Sequence, residues 1–198
     1  MKILKMLTVA FPLLMACGCV KIWQDNLDIK TYMLQVERPG EGESVPMFGK
    51  LWIEDVHVLP PYNVRSLIVR ESDVEFSTSY YSELLMSPTD NFRNLIFDWF
   101  SSAGCFKEVS TDDRKGMKYR LLATVMDFYG DRKTQKAVFR IKVSLFTESE
   151  NVLMHKEYAA QIKSESNHAE DYIRAYNQAT AEILTMCEQD VRAAISGE

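Results

Sequence analysis

The sequence predicts an α/β domain of the α+β type: a mostly antiparallel mixed sheet covered by two amphipathic helices, in the order β-β-β-β-α-β-β-β-α. Three observations predict it. Apolar residues recur at helical spacing in two places, after Ser87 and from about Ala169 to Ala194. Between and before them lie short runs with strand character. The clearest is "VFRIKVSLF", which puts Phe139, Ile141, Val143 and Leu145 on one face and Arg140, Lys142 and Ser144 on the other. A chain of 198 residues, 46% apolar and 26% charged, can also bury one sizeable core.

The first residues are read separately. Met1, Lys2 and Lys5 make a positive start, and Met6 to Ala16 runs without a charge. That run is shorter than the roughly 20 residues a bilayer-spanning helix needs, and Pro12 interrupts it, so it has the form of a secretory signal. Leu14-Met15-Ala16-Cys17 resembles the bacterial lipobox, with a small residue before a cysteine whose thiol accepts diacylglycerol. Residues 1–16 are then the signal peptide, 17–29 a lipidated tether and 30–198 a single periplasmic domain. Diacylglycerol and an N-acyl chain such as palmitate on Cys17 would anchor the protein firmly. Cys19, with Ala at its −3 position, is the fallback site. Gly18 points to the outer membrane, because Asp at that position commonly retains such lipoproteins in the inner one. As a metal or redox site the C-x-C pair fails for want of a second Cys or His pair at ligand spacing.

"KTYMLQV" is expected as the first strand, and "ERPGEGESVPMFG" as a loop. "KLWIEDVHV" reads as one strand, with Leu51, Ile53 and Asp55 on one side and Trp52, Val56 and Val58 mainly on the other. It stops at Pro60 and Pro61, which have no N–H to give a ladder. "SLIVRES" and "DVEFSTS" form a tight pair of short strands. Ser87 as N-cap, Pro88 at the first helical position and Asp90 in the first turn open the first helix. Phe92, Leu95, Ile96, Trp99 and Phe100 form its core stripe, and Gly104 ends it. "YRLLATVMDFY", "VFRIKVSLF" and "VLMHKEYAAQI" make a three-strand meander. The last helix carries Tyr172, Ile173, Tyr176, Ile183, Leu184, Cys187 and Val191 on one stripe.

Several function classes are disfavoured. A net charge of −5, moving to −7 once Lys2 and Lys5 leave with the signal, argues against nucleic acid. No P-loop, dinucleotide fingerprint or nucleophile elbow is present, and His57, His155 and His168 are scattered without metal-ligand spacing. No enzyme, no metal and no cofactor is therefore expected. Cys105 and Cys187 are open to two readings in an oxidising compartment, a disulfide or two small buried thiols.

"KTYMLQV", "LWIEDVHVLPPYNVRSLIVRESDVEF" and "SYYSELL" before an amphipathic helix resemble, in order, the ABC-type transport auxiliary lipoproteins, the PqiC-like group. Tyr32 and Leu34 match its opening strand. Leu59, Pro60, Tyr62 and Arg70 match its "LPxY" segment and the Arg-bearing strand behind it. Where the family usually carries a Trp and a Pro before the first helix, this chain has Tyr81 and Leu84. The resemblance implies an outer-membrane, non-catalytic accessory of an ABC transporter whose MCE-domain (mammalian cell entry) periplasmic proteins carry lipid between the membranes. A homo-oligomer is compatible with it. Pro60, Pro61, Tyr62, Arg65 and Arg70 are the partner-binding candidates, set against a second reading of the Pro-Pro-Tyr segment as a rigid strand-ending turn. The alternative function is an envelope lipoprotein that activates a cell-wall enzyme or builds a secretion complex.

Overall fold

The computed structural model describes residues 28–197. In chain order they form β1 (Lys30–Tyr32), β2 (Phe48–Ile53), β3 (His57–Val58), a 3-10 turn (Pro60–Tyr62), β4 (Ser66–Arg70) and β5 (Phe76–Leu84). Then come α1 (Pro88–Ala103), β6 (Phe106–Ser110), β7 (Met117–Asp131), β8 (Lys136–Thr147), β9 (Val152–Lys163) and α2 (Ala169–Ser196). No helix among the described residues is long and apolar enough to cross a membrane.

The 15-residue β7 organises the sheet. One of its edges pairs antiparallel with β8 from Tyr119↔Thr147 to Asp131↔Lys136, and β8 pairs in turn with β9. The other edge is taken successively by β2, β3 and β4, all parallel to β7, at Leu51↔Tyr119, His57↔Thr124 and Val69↔Gly130. The sheet therefore forks from β7 into two arms. β6 extends the first arm outside β2, and β5 followed by β1 extends the second outside β4. The expected mixed sheet is present. Its long ladders and the β4–β5 hairpin are antiparallel, while the pairings of β1, β2, β3 and β6 are parallel.

Four local expectations are corrected. "KLWIEDVHV" is two strands, because the chain leaves the ladder at residues 54–56. The interruption shifts its alternation by one residue, so Val56 and Val58 are buried with Leu51 and Ile53 instead of opposite them. The first strand ends at Tyr32 rather than running to Val36, and the Gln35 N–H is taken by the side chain of Asn177. β5 continues through "SYYSEL" to Leu84. β6, too polar and short to announce itself, adds a strand directly after α1.

Both helices lie against the face that carries Phe128 and Phe139. Phe92 of α1 stacks on Phe139 at 4.9 Å and meets Phe128 edge-on at 5.2 Å. Tyr176 of α2 touches Phe128 at 4.3 Å. Such ring pairs contribute about 1 kcal/mol each beyond their buried area. α1 is built as its sequence predicts: the Ser87 hydroxyl accepts from the Asp90 N–H, Pro88 opens the helix, and Gly104 closes it in the left-handed region at φ 66°. The opposite face of β7, β8 and β9 carries Arg120, Asp127, Arg140, His155 and Glu157 and faces water, as antiparallel sheets permit.

Between α1 and α2 a buried carboxylate joins three segments. Glu188 accepts from Arg38 at 2.8 and 2.9 Å, from the Trp99 indole N–H at 2.8 Å, and from Arg192 at 2.9 Å. Burial opposes its charge, but these donors win and hold its carboxyl below the ordinary value of 4.5. Arg192 also reaches Glu43, so the loop of residues 37–47 is pinned to the helices.

Candidate docking site at the Pro-Pro-Tyr turn

The segment from Leu59 to Tyr62 leaves the sheet for a chemical reason. The Leu59 N–H still bonds the Val125 carbonyl, but Pro60 and Pro61 have no donor for the next rungs. The chain closes a 3-10 turn instead, through the Tyr62 N–H to the Leu59 carbonyl at 2.9 Å. Pro60 and Pro61 are exposed and Tyr62 is half-buried.

Tyr62 folds back over the face of the sheet that the helices leave open. Its ring stacks on Tyr129 at 6.0 Å, and its hydroxyl donates to Asp127 at 3.2 Å. Phe76 of β5 meets the same Tyr129 edge-on at 5.4 Å while remaining 49% exposed. Pro61, Tyr62, Ile68, Phe76, Ser77 and Thr78 line a groove of about 360 Å³.

The charges around Tyr62 and Tyr129, next to the groove, are paired. Asp127 accepts from Arg140 Nε at 2.6 Å. Arg70 donates to Asp131, with Nε at 2.8 Å, and its guanidinium lies 5.3 Å from the Tyr129 ring centre. Burial would raise the Asp131 carboxyl, but the Thr134 backbone N–H and Arg70 hold it below its usual range. Burial, with the Asp127 charge beside it, pushes the Tyr62 hydroxyl up to about 12. Tyr62 thus stays protonated as a donor at any physiological pH. The arrangement offers an apolar slot bordered by neutralised ions, suited to apolar or aromatic side chains from a partner.

Pro61, Tyr62 and Arg70 therefore come together, and Pro60 borders them from the same turn. Arg65 does not join them. It donates to the Leu84 carbonyl at 2.8 Å and to Glu83 at 2.7 Å, tying β4 to the end of β5. The Pro-Pro-Tyr segment ends a strand in a tight turn and also walls the groove. Ile68, Phe76, Asp127, Tyr129 and Arg140 were not singled out from the sequence. The clue was Asp127, an acidic residue in the mainly apolar "YRLLATVMDFY".

Cys105 and Cys187 are both free, buried thiols, so the bridge weighed from the sequence is not made. Burial pushes the Cys187 thiol up to about 12, and each cysteine packs as a small hydrophobe. Cys17, Gly18 and Cys19 lie outside the described residues. No cluster of three or more His, Cys, Asp or Glu among the described residues could hold a metal ion. Of the histidines, His155 pairs with Ser144 at 2.8 Å on the open face, four residues along β8 from Arg140.

A model of the ABC-type transport auxiliary lipoprotein component family matches residues 32–186. No curated protein sequence matches the chain. Solved structures with the same fold include a Xanthomonas campestris protein of the DUF330 family, at 18% identity and TM-score 0.72, covering 85% of this chain and 96% of that one. An uncharacterized protein aligns at 16% identity and TM-score 0.69, over 82% of this chain and 98% of its own. A hypothetical protein of Chlamydia trachomatis aligns at 8% identity and TM-score 0.52, over 76% and 99%. The family match includes the whole groove.

Proposed function

Because the chain belongs to the family of ABC-type transport auxiliary lipoprotein components, we propose that it serves its transporter as a tethered docking subunit and performs no chemistry itself. The partner in this reading is an MCE-domain periplasmic protein, and the system moves lipid between the inner and outer membranes. Residues 1–16 are removed, Cys17 carries diacylglycerol and an N-acyl chain, and Gly18 sends the protein to the periplasmic face of the outer membrane.

The observation that carries the docking role is the groove at the Pro-Pro-Tyr turn. A half-exposed Phe76 beside Tyr62 and Pro61, with the Arg70–Asp131 and Arg140–Asp127 pairs nearby at Tyr129 and Tyr62, has the composition of an interface centre: aromatic, apolar, and accompanied by arginine.

Crosslinked pull-down of the tethered protein tests this. Wild type should recover an MCE-domain protein, and Phe76→Glu should lose it by about 30-fold or more, the size of a hot-spot aromatic, while keeping its circular dichroism. Recovery of a cell-wall synthase or secretion component in place of an MCE-domain protein would replace the reading.

A further inference from the structure

Residues 33–37 leave the sheet without leaving the core. The β1–β5 pairing carries on one rung past Tyr32↔Leu84, through the Leu85 N–H to the Tyr32 carbonyl at 2.7 Å. Beyond it Leu34 is buried and the Asn177 side chain accepts the Gln35 N–H, which fastens the segment to the core and to α2. Between this segment and α1 lies a hollow of about 370 Å³, whose lining includes Met33, Glu37, Met86, Asn91, Leu95 and Asp98.

One group in this lining is out of place. Asn91 is only 2% exposed, its Nδ2 is enclosed, and that amide donates to nothing among the described residues. Its backbone N–H already serves the helix, on the Ser87 carbonyl. Buried polar groups are normally paired, because an unpaired one forfeits the hydrogen bonds it would make in water. The rim supplies a second signal. Glu37 and Asp98 are exposed carboxylates, and neither pairs with a cation among the described residues. Met33 and Met86 add apolar surface that adjusts to what it meets.

The hollow therefore lacks an acceptor at Asn91, an apolar group among the methionines and Leu95, and a positive charge at its rim. A peptide with an apolar residue beside lysine or arginine carries all three. A phospholipid would instead bring a phosphate against two carboxylates. The chain's own start arrives at the other end of β1, where Asp28 and Lys30 line a separate hollow with His168, Glu170 and Asp171. We propose that the hollow between residues 33–37 and α1 binds a segment of a partner protein in which an apolar residue stands next to lysine or arginine, with a backbone carbonyl accepting from Asn91 Nδ2. This site belongs to the helix-bearing side of the sheet and is distinct from the groove at the Pro-Pro-Tyr turn. It rests on the docking reading only for the existence of a protein partner.

The test is selection from a random peptide library on the full chain, purified from membranes into nanodiscs of phosphatidylethanolamine and phosphatidylglycerol. Selected peptides should pair an apolar residue with Lys or Arg, and their binding should weaken as salt is raised. Asn91→Leu should weaken binding about tenfold while raising the melting temperature by about 2 °C, because it removes an unpaired buried amide. A merely structural asparagine would lower the melting temperature on the same change. Glu37→Gln combined with Asp98→Asn, both at exposed positions, should weaken binding about fivefold with the melting temperature unchanged. A benzophenone side chain at Asn94, also in the lining, should crosslink the bound peptide. No selected peptide, peptides without a basic residue, binding that survives both variants, or an Asn94 probe that captures phospholipid or the chain's own residues before Lys30 would each overturn the proposal. Peptide capture at the hollow with no MCE-domain protein recovered from cells would support the site and remove the transporter assignment. MCE-domain recovery that Phe76→Glu abolishes, with no peptide selected, would do the reverse.

Discussion

At the scale of single residues, Glu188 and Tyr62 show how differently one charge and one hydroxyl are used. The Glu188 carboxyl sits below its ordinary value. It therefore contributes stability that is fully present above about pH 4.5 and is lost as pH falls through its folded value. Glu188→Gln removes the charge that Arg38 and Arg192 share and turns one of the two acceptor oxygens into a donor, and should cost about 3 kcal/mol at pH 7. Chemical denaturation from pH 7 to pH 3 should show a shallower acid dependence for the variant than for wild type. Tyr62→Phe removes only a half-buried hydrogen bond to Asp127 and should cost about 1 kcal/mol. Partner recovery should survive it, because the ring remains on Tyr129. Neither role was legible beforehand: Arg38 and Trp99 lie 150 and 89 positions from Glu188, and Asp127 lies 65 positions from Tyr62.

At the scale of elements, what the sequence disclosed depended on whether the cause was local. α1 was legible end to end because its cap, its first-turn proline, its apolar stripe and its stop are all written within 18 residues. Ser87→Ala should destabilise by about 1 kcal/mol in urea titration. Gly104→Ala should cost more, about 2 kcal/mol, since its φ of 66° is unfavourable for a side chain and an added Cβ would come within 2.4 Å of the Glu43 carbonyl oxygen. The break between β2 and β3 was not legible, because only Asp55 marks it, with no Gly or Pro. It follows from the register that β7 imposes, and only the finished ladder contains that information. The groove was half legible for the same reason. Pro61, Tyr62 and Arg70 lie close in sequence, whereas Asp127, Tyr129 and Arg140 arrive from strands fixed by distant pairing.

At the scale of the whole molecule, the leader pattern and the family agree on a lipoprotein, and its attachment yields the simplest prediction. Cys17→Ala should move the protein from the membrane to the soluble fraction of the periplasm and leave its melting temperature unchanged, whereas Cys19→Ala should do neither; fractionation with immunoblotting checks this. The forked sheet has a further consequence, in time. Residues 48–70 take their places along one strand that ends at Asp131, so the leading half of the chain, apart from the β4–β5, β1–β5 and β2–β6 pairings, lacks its central strand until the trailing half arrives. A fragment ending at residue 116 should therefore remain unfolded by circular dichroism. On the proposed export route this delay is useful: a polypeptide threaded amino end first stays loose while it passes through the channel, and it closes only when the last of its strands has emerged.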